Sequence, residues 1–226
     1  MISKLKKWVW LGAVILSFSS GMINVIALSG FAHKAATHMT GIVSGFSIAL
    51  AKNEIAIISE TFVILLSFFC GAFISGIIVR DGHLKMGRRY GFALAVESGL
   101  LFLATYGFVC NSIWGEYFAC AAAGLQNALA STYSGTIVRT THLTGILTDL
   151  GALTGNKIQG VPVDTRRFKL LSIILGSFMA GGYLGSIFYQ RWNAWTMLVP
   201  ALTIGIAAIG YEFFRRSLKS GDNTFN

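Results

Sequence analysis

Charged residues are scarce in this chain, and so are proline and cysteine. Only 12% of the 226 residues are charged, whereas a soluble domain carries about 25%. Two prolines leave no room for a proline-rich linker, and three cysteines in apolar stretches form no disulfide framework or metal-binding pattern. These shortages argue against a disordered chain, a disulfide-stabilised scaffold and a soluble enzyme with a solvated surface.

Apolar residues are abundant instead, at 54% of the chain. Six apolar runs are long enough to cross a membrane core of about 30 Å, which takes about 20 helical residues. The six runs are Trp8–Gly30, Ile55–Val79, Tyr90–Val109, Ile113–Thr132, Leu170–Tyr189 and Ala194–Phe213. Two shorter pieces, His38–Ala51 and His142–Thr154, would cover only about two-thirds of that core, as short tilted spans or re-entrant half-helices.

The positions of the basic residues decide between these two topologies. With six spans and a cytoplasmic N-terminus, fifteen Lys and Arg residues lie inside and three outside. If both short pieces also spanned the membrane, the count would be eleven inside against seven outside. The positive-inside rule therefore predicts an all-α integral membrane protein with six transmembrane helices, two short re-entrant half-helices and both termini in the cytoplasm.

The net charge of +9 does not indicate nucleic-acid binding, because the basic residues stand at the ends of apolar runs rather than in one patch. The sequence also contains no phosphate-binding Walker loop, no dinucleotide-binding glycine pattern, no Cys/His metal spacing and no serine nucleophile elbow. We therefore predict no cofactor, no metal and no nucleic-acid partner, and enzymatic activity is the less favoured reading.

A short internal repeat divides the chain into two halves, 1–111 and 112–226. Thr-His-Met-Thr-Gly-Ile at 37–42 matches Thr-His-Leu-Thr-Gly-Ile at 141–146. Each half contains a span, a short piece, a glycine-rich span and a last span. Because three spans is an odd number, the second half must be inverted relative to the first. The pattern predicts a single membrane domain built as a 3+3 inverted repeat, an architecture that recurs in transporters and channels.

The repeat also suggests where a polar site would form. Asn24 precedes His38 by fourteen residues, and Asn127 precedes His142 by fifteen. If the intervening loops enter from opposite faces, both short helices begin near the midplane, and their N-terminal dipoles favour an anionic or carbonyl-bearing solute or exclude cations. The alternative is that these Thr and Gly residues only allow close helix packing while the histidines bond to neighbouring backbone. The candidate substrate-binding residues are Asn24, His38, Thr40, Gln126, Asn127, His142, Thr144, Asp149 and Glu97.

Two acidic residues in this set stand out because ionisable groups inside membrane helices are costly. Asp149 follows His142 by seven residues, which places both on nearly the same helix face and would suit a coupled acid–imidazole pair in proton-linked transport. The alternative is that Asp149 pairs with Arg139 or Lys157 near the cytoplasmic surface. Glu97 lies midway along its span without a short route to the surface, which favours a functional role.

Several of these strings resemble those of the YoaK-like family of bacterial integral membrane proteins, and the resemblance extends from about Ser17 to Phe213. The strings are Gly21-Met22-Ile23-Asn24, His38-Met39-Thr40-Gly41, Gly124-Leu125-Gln126-Asn127 and Arg139-Thr140-Thr141-His142-Leu143-Thr144-Gly145. The family is known as a domain of unknown function with about six predicted membrane helices, so the resemblance implies a bacterial inner-membrane location and a fold. This copy has Asn24 where the family usually has Asp, and Ile42 where Asn usually follows Thr-Gly.

Three classes of function fit these observations. The leading hypothesis is a small-solute transporter or channel with a polar site between the inverted halves, whose partners are the lipid bilayer and a small solute. A membrane-embedded enzyme would instead use His142, Asp149 and Glu97 on a lipid or isoprenoid substrate. A non-catalytic membrane partner protein would use all these motifs for packing alone. The oligomeric state stays open.

Overall fold

The computed structural model describes residues 7–30, 36–79, 88–134 and 140–222. Within these ranges the regular structure is entirely helical, with eight α-helices and one 3-10 turn and without a strand. The helices are α1 (Lys7–Ser29), α2 (Met39–Lys52), α3 (Ile55–Ile78), α4 (Arg88–Val109), α5 (Trp114–Ser134), α6 (Leu143–Ile158), α7 (Thr165–Trp192) and α8 (Leu198–Asp222), and the 3-10 turn is Asn193–Met197. Arg139 and the loop around Lys85, which the charge count used, lie outside the described residues.

Each of the six predicted spans coincides with a helix of 21 to 28 residues. The two short pieces form α2 and α6, of 14 and 16 residues. Four helical stretches are long and apolar enough to cross a membrane, as a helical membrane protein requires. They are Trp8–Ser29, Ile55–Ile78, Arg89–Val109 and Thr165–Ser217, the last of which contains both α7 and α8.

Helix α5 is not among those four stretches because small and polar residues replace large apolar ones along it. Its side chains from Ala119 to Gln126 are almost all buried, and it packs against α1, α3 and α4. The outer helices show the opposite pattern, since large apolar side chains such as Phe69 and Phe73 of α3 and Phe213 of α8 are 59–70% exposed. Apolar side chains on the outside and polar side chains on a central helix are typical of a protein surrounded by lipid.

Two close helix crossings connect the halves of the chain. Where α1 crosses α7, a methyl group at Gly21 would overlap the carbonyl oxygen of Phe178. Where α5 crosses α3, a methyl group at Gly124 would overlap the carbonyl oxygen of Phe68. Gly21 and Gly124 begin the two related strings of the repeat, so equivalent glycines make equivalent contacts.

The same two crossings contain a second pair of glycines on the partner helices. A methyl group at Gly181 of α7 would overlap the carbonyl oxygen of Phe18, and one at Gly71 of α3 would overlap that of Ala121. Each crossing therefore has a glycine on both helices, which brings the two backbones together as small residues do in membrane proteins. In both crossings a helix of one half packs against a helix of the other half.

Helices α4 and α8 form a third contact between the halves, in which the Ser98 hydroxyl donates to the carbonyl oxygen of Ala201 at 2.8 Å. The short helices are peripheral by comparison. Among the described residues α2 packs against α3 and α6 packs against α7, and the two short helices make no contact with each other. Their exposed surfaces include large apolar residues such as Ile48 of α2 and Leu147 of α6.

Local sequence signals explain how the short helices connect to the long ones. Asn53 ends α2 in the left-handed conformation with φ of 56°, which Asn tolerates better than most residues, and α3 begins two residues later. Asp164 caps α7, since its carboxylate accepts from the backbone N–H groups of Arg166 and Arg167 at 2.9 and 3.1 Å.

Candidate functional site

Four polar side chains meet in the interior and come from α1, α4, α5 and the segment before α6. They are Ser20, Glu97, Gln126 and Thr140, and none of them is more than 1% exposed. The Gln126 amide connects them, because its Nε2 donates to Glu97 Oε1 at 2.8 Å while its Oε1 accepts from the Thr140 hydroxyl at 3.2 Å and from the Ser20 hydroxyl. We refer to these four residues as the Gln126 cluster.

The second carboxyl oxygen of Glu97 is buried and has no hydrogen-bond partner among the described residues. Burying a carboxyl group away from water costs several kcal/mol unless its oxygens are satisfied. Glu97 is fully buried, which is consistent with the expectation that it has no short route to the surface. The Gln126 cluster also contains a polar atom that could still bind a ligand.

Helix α1 contributes a polar face that continues from the cluster. Ser17, Ser20 and Asn24 follow one another at spacings of three and four residues, which puts them on one side of the helix. Ser17 is fully buried, and its hydroxyl finds no partner in the described parts of the chain. Ser20 is a site residue that was not predicted from the sequence, although its spacing of four residues from Asn24 is the pattern that could have identified it.

Asn24 and Asn127 bind the chain segments that precede the two short helices. Asn24 Oδ1 accepts from both the backbone N–H and the hydroxyl of Thr37, at 3.1 and 2.7 Å. Asn127 Oδ1 accepts from the hydroxyls of Thr141 at 2.7 Å and Thr140 at 3.5 Å. Asn24 lies five residues before the end of α1, and Asn127 lies seven residues before the end of α5. At 1.5 Å per residue, the bound segments therefore lie about 8–11 Å back along the axis of the preceding helix.

The repeated histidines start the short helices. His38 and His142 are the N-cap residues of α2 and α6, with φ of −97° and −87°. Each ring lies against the glycine three residues later: a methyl group at Gly41 would overlap the His38 ring, and one at Gly145 would lie 2.8 Å from His142 Nδ1. The glycine of the motif therefore leaves room for the imidazole, and both histidines are exposed.

The other three predicted site residues lie on α2 and α6. Thr40 and Thr144 are exposed, and their carbonyl oxygens accept from hydroxyls one turn later, those of Ser44 and Thr148. Asp149 forms an ion pair with Arg167 of α7 at 2.7 Å, and both side chains are more than 40% exposed. The structural partner of Asp149 is thus Arg167 rather than Lys157, and Arg139 lies outside the described residues.

The predicted site residues therefore fall into three groups. Glu97 and Gln126 are bonded directly, and Asn127 joins them through Thr140. Asn24 binds Thr37 and lies one turn beyond Ser20 on the same face of α1. His38, Thr40, His142, Thr144 and Asp149 belong to the starts and outer faces of the short helices.

Metal binding finds no support in the described ranges, where no three His, Cys, Asp or Glu side chains come close enough to hold an ion.

Comparison with known proteins places the chain in one family. A family model with the description "Protein of unknown function (DUF1275)" matches residues 12–210, which includes every helix that contributes to the Gln126 cluster. No match is found among the curated proteins or among the solved structures. Because the family model covers nearly the whole sequence, and in agreement with the resemblance to YoaK-like membrane proteins, the chain belongs to the DUF1275 family.

Proposed function

We propose that this protein is a small-solute transporter or channel of the bacterial inner membrane, with its polar site at the Gln126 cluster. The observation that carries the proposal is the buried Glu97 carboxyl group, bonded to Gln126 and left with one unpartnered oxygen. Polar and ionisable groups inside membrane helices are expensive and commonly mark a solute or ion pathway. The polar face of α1 with Ser17 and Asn24 extends such a pathway from the cluster.

We further propose six membrane spans, α1, α3, α4, α5, α7 and α8, arranged as a 3+3 inverted repeat. The lengths of these helices support the spans, and the fifteen-to-three distribution of basic residues supports cytoplasmic termini. The two glycine crossings support the repeat, because exchanging the halves converts the α1–α7 contact into the α5–α3 contact. Since these contacts join one half to the other, residues 1–226 would form a single membrane domain.

In this arrangement the short helices α2 and α6 are re-entrant elements. The hydrogen bonds of Asn24 to Thr37 and of Asn127 to Thr141 support this assignment. Each bond ties the segment before a short helix to a side chain more than one turn before the end of the preceding long helix. Irregular backbone at membrane depth needs such protein partners for its polar groups. We assign His38, Thr40, His142 and Thr144 to the walls of the pathway around these segments, and Asp149 to its cytoplasmic end.

The solute is expected to be small and polar, with anions favoured. Helix α6 begins at Leu143, three residues after Thr140 of the cluster, and the positive end of its helix dipole would stabilise an anion bound there. Glu97 opposes an anion only while its carboxyl group is ionised. The protonation of Glu97 therefore decides which solute the site accepts.

Ligand-dependent thermal stability of the purified protein tests this function. Binding to the native state must raise the apparent melting temperature, by an amount that grows with solute concentration. We expect at least one small solute to stabilise the wild type and the Gly12→Ala control, where an added methyl group meets nothing within 4 Å and lies outside the proposed site. The same solute should not stabilise Gln126→Met. Equal stabilisation of all three proteins would show that the solute binds elsewhere and would contradict the proposed site.

A further inference from the structure

Glu97 is isolated from every described cation. It forms no ion pair with a described Lys, Arg or His, and its only hydrogen bond to a described residue is the one that Gln126 donates. Its Oε2 is buried without a donor in the parts of the chain that the structure describes. An ionised carboxylate in this place would be a buried charge with one unsatisfied oxygen, the arrangement that proteins avoid by pairing or by binding a proton.

The elements around Glu97 contain other titratable groups with described side chains. They are Arg89, Tyr90 and Tyr106 on α4, Glu116, Tyr117 and Cys120 on α5, Tyr211, Glu212, Arg215 and Arg216 on α8, Glu60 and Cys70 on α3, and His142 at the start of α6, two residues after Thr140.

Helix geometry shows how far these charges are from Glu97. Arg89 lies eight residues from Glu97 on the same helix, and Glu116 lies ten residues before Gln126. Glu212 lies eleven residues beyond Ala201, the contact of Ser98. At 1.5 Å per residue these separations are about 12–16 Å, and Glu212 is already bound to Arg215 and Arg216. None of these three charged residues is therefore close enough to compensate an ionised Glu97.

We propose that Glu97 is the coupling site of a proton-linked carrier for small monocarboxylate anions. This inference rests on the transporter function proposed above. One proton binds to the Glu97 carboxylate and makes it neutral. The solute carboxylate then accepts a hydrogen bond from that carboxyl group, at the oxygen that has no partner among the described residues. Proton and anion are released together on the other side, and the net charge moved is zero.

Two physical arguments link proton binding at Glu97 to the binding of an anionic solute. A carboxylate solute next to ionised Glu97 would place two like charges within a few ångströms in a water-poor interior, where their repulsion is strong. Protonation removes that repulsion and creates a donor, so the two ligands bind cooperatively. Gln126 connects the protonation of Glu97 to Thr140, which precedes α6, because the Gln126 amide is hydrogen-bonded to both Glu97 and Thr140.

Proton binding is tested without any solute by infrared titration of the purified protein. We expect the wild type to show the carbonyl band of a protonated carboxyl group, which disappears at alkaline pH and is missing in Glu97→Gln. The Glu212→Gln control should keep this band, because Glu212 is partly exposed and held by two arginines. A wild-type spectrum without the Glu97-dependent band would overturn the proton site and leave the proposed transport function standing.

Coupling is tested in proteoliposomes with radiolabelled lactate and pyruvate as probes. An inward proton gradient should accumulate a probe in wild-type vesicles, up to about tenfold per pH unit for one-to-one coupling. Glu97→Gln, which mimics the protonated carboxyl group and retains an oxygen for Gln126, should keep probe exchange between the two sides but lose this accumulation. Gradient-driven accumulation by Glu97→Gln at the wild-type level would overturn the proposal.

The remaining outcomes are equally decisive. If wild-type vesicles transport neither probe while the infrared band is present, the assignment of monocarboxylates is overturned. If wild-type vesicles exchange a probe without responding to the proton gradient, proton coupling fails while the proposed transporter function survives. Glu212→Gln vesicles serve as the matched control and should accumulate the probes as the wild type does.

Discussion

The carbonyl oxygen of Phe178 on α7 occupies the space that a side chain at Gly21 of α1 would need. The same relationship holds between Phe68 on α3 and Gly124 on α5. In each case a helix of one half approaches a helix of the other half until backbone meets backbone. Such an approach leaves no flexible side chain to move aside, so neither crossing can accommodate a larger residue without moving the backbone.

Replacing Gly21 with Ala should therefore destabilise the protein by about 2 kcal/mol or more, as overpacking of a close contact does. Gly12→Ala is the matched control on the same helix, because a methyl group there meets nothing within 4 Å. That change should be neutral or stabilising by up to about 1 kcal/mol, since Ala is the better helix former. Thermal denaturation in detergent measures both effects. Equal melting temperatures for the two variants would contradict the backbone contact.

The acceptor role of Asn24 leads to a second prediction. Asn24 uses only its Oδ1 atom, which accepts both hydrogen bonds from Thr37. Asn24→Asp should therefore preserve the folded yield, and the carboxylate should strengthen both bonds. Asn24→Leu should lower the stability by about 1–3 kcal/mol, because it leaves the Thr37 donors without an acceptor. Equal stability of Asn24→Leu and wild type in thermal denaturation would show that the returning segment is held by other contacts.

The helices were predictable from sequence because each long apolar run is a strong local signal. All six runs became helices, and both short pieces became short helices with their starts at the repeated histidines. The contacts between helices were not predictable in the same way. Gly21, Gly71, Gly124 and Gly181 are four of 26 glycines, and only the three-dimensional arrangement distinguishes those that meet another backbone.

The repeated motif shows why the candidate site was only partly predictable. The Thr-His-x-Thr-Gly strings suggested chemistry at the histidines. In the structure their first threonines, Thr37 and Thr141, bind Asn24 and Asn127, and their glycines accommodate the imidazole rings. These are requirements of a helix start. Glu97 and Gln126 were recognised from the cost of burying polar groups, but their mutual bond joins residues 29 apart, which no local pattern encodes.

The ion pair of Asp149 gives a third prediction. Because Asp149 and Arg167 are both more than 40% exposed, their attraction is screened by solvent and should contribute at most about 1 kcal/mol. Asp149→Asn should therefore change neither the melting temperature appreciably nor the pH dependence of any transport activity. A marked change in the pH profile would instead indicate that Asp149 and His142 act together as a proton-transfer pair.

Membrane orientation can be tested with the native cysteine at position 110, which is exposed between α4 and α5. In a background without Cys70 and Cys120, a membrane-impermeant maleimide should label Cys110 in intact cells. A cysteine placed at Gln159, between α6 and α7, should be labelled only after permeabilisation, because six spans put that turn in the cytoplasm. Labelling of position 159 from outside would contradict the six-span topology.

The last prediction concerns the energetic coupling of Glu97 and Gln126. Gln126→Met removes the partner of Glu97, Ser20 and Thr140 at once, and each buried polar group left unpaired costs about 1–3 kcal/mol. Glu97→Met leaves only the Gln126 amide nitrogen without an acceptor, so it should cost less. In the double variant both ends of the 2.8 Å bond are apolar, and neither an unsatisfied carboxyl group nor an unsatisfied amide remains. Its destabilisation should therefore be smaller than the sum of the single effects, with a coupling energy of about 0.5–3 kcal/mol in a double-mutant cycle.

Ser98→Ala provides the control partner for this cycle. Ser98 bonds to Ala201 instead of Gln126, so its effect on stability should add to that of Gln126→Met. Strict additivity of the Glu97 and Gln126 substitutions would mean that the hydrogen bond contributes nothing to the folded state.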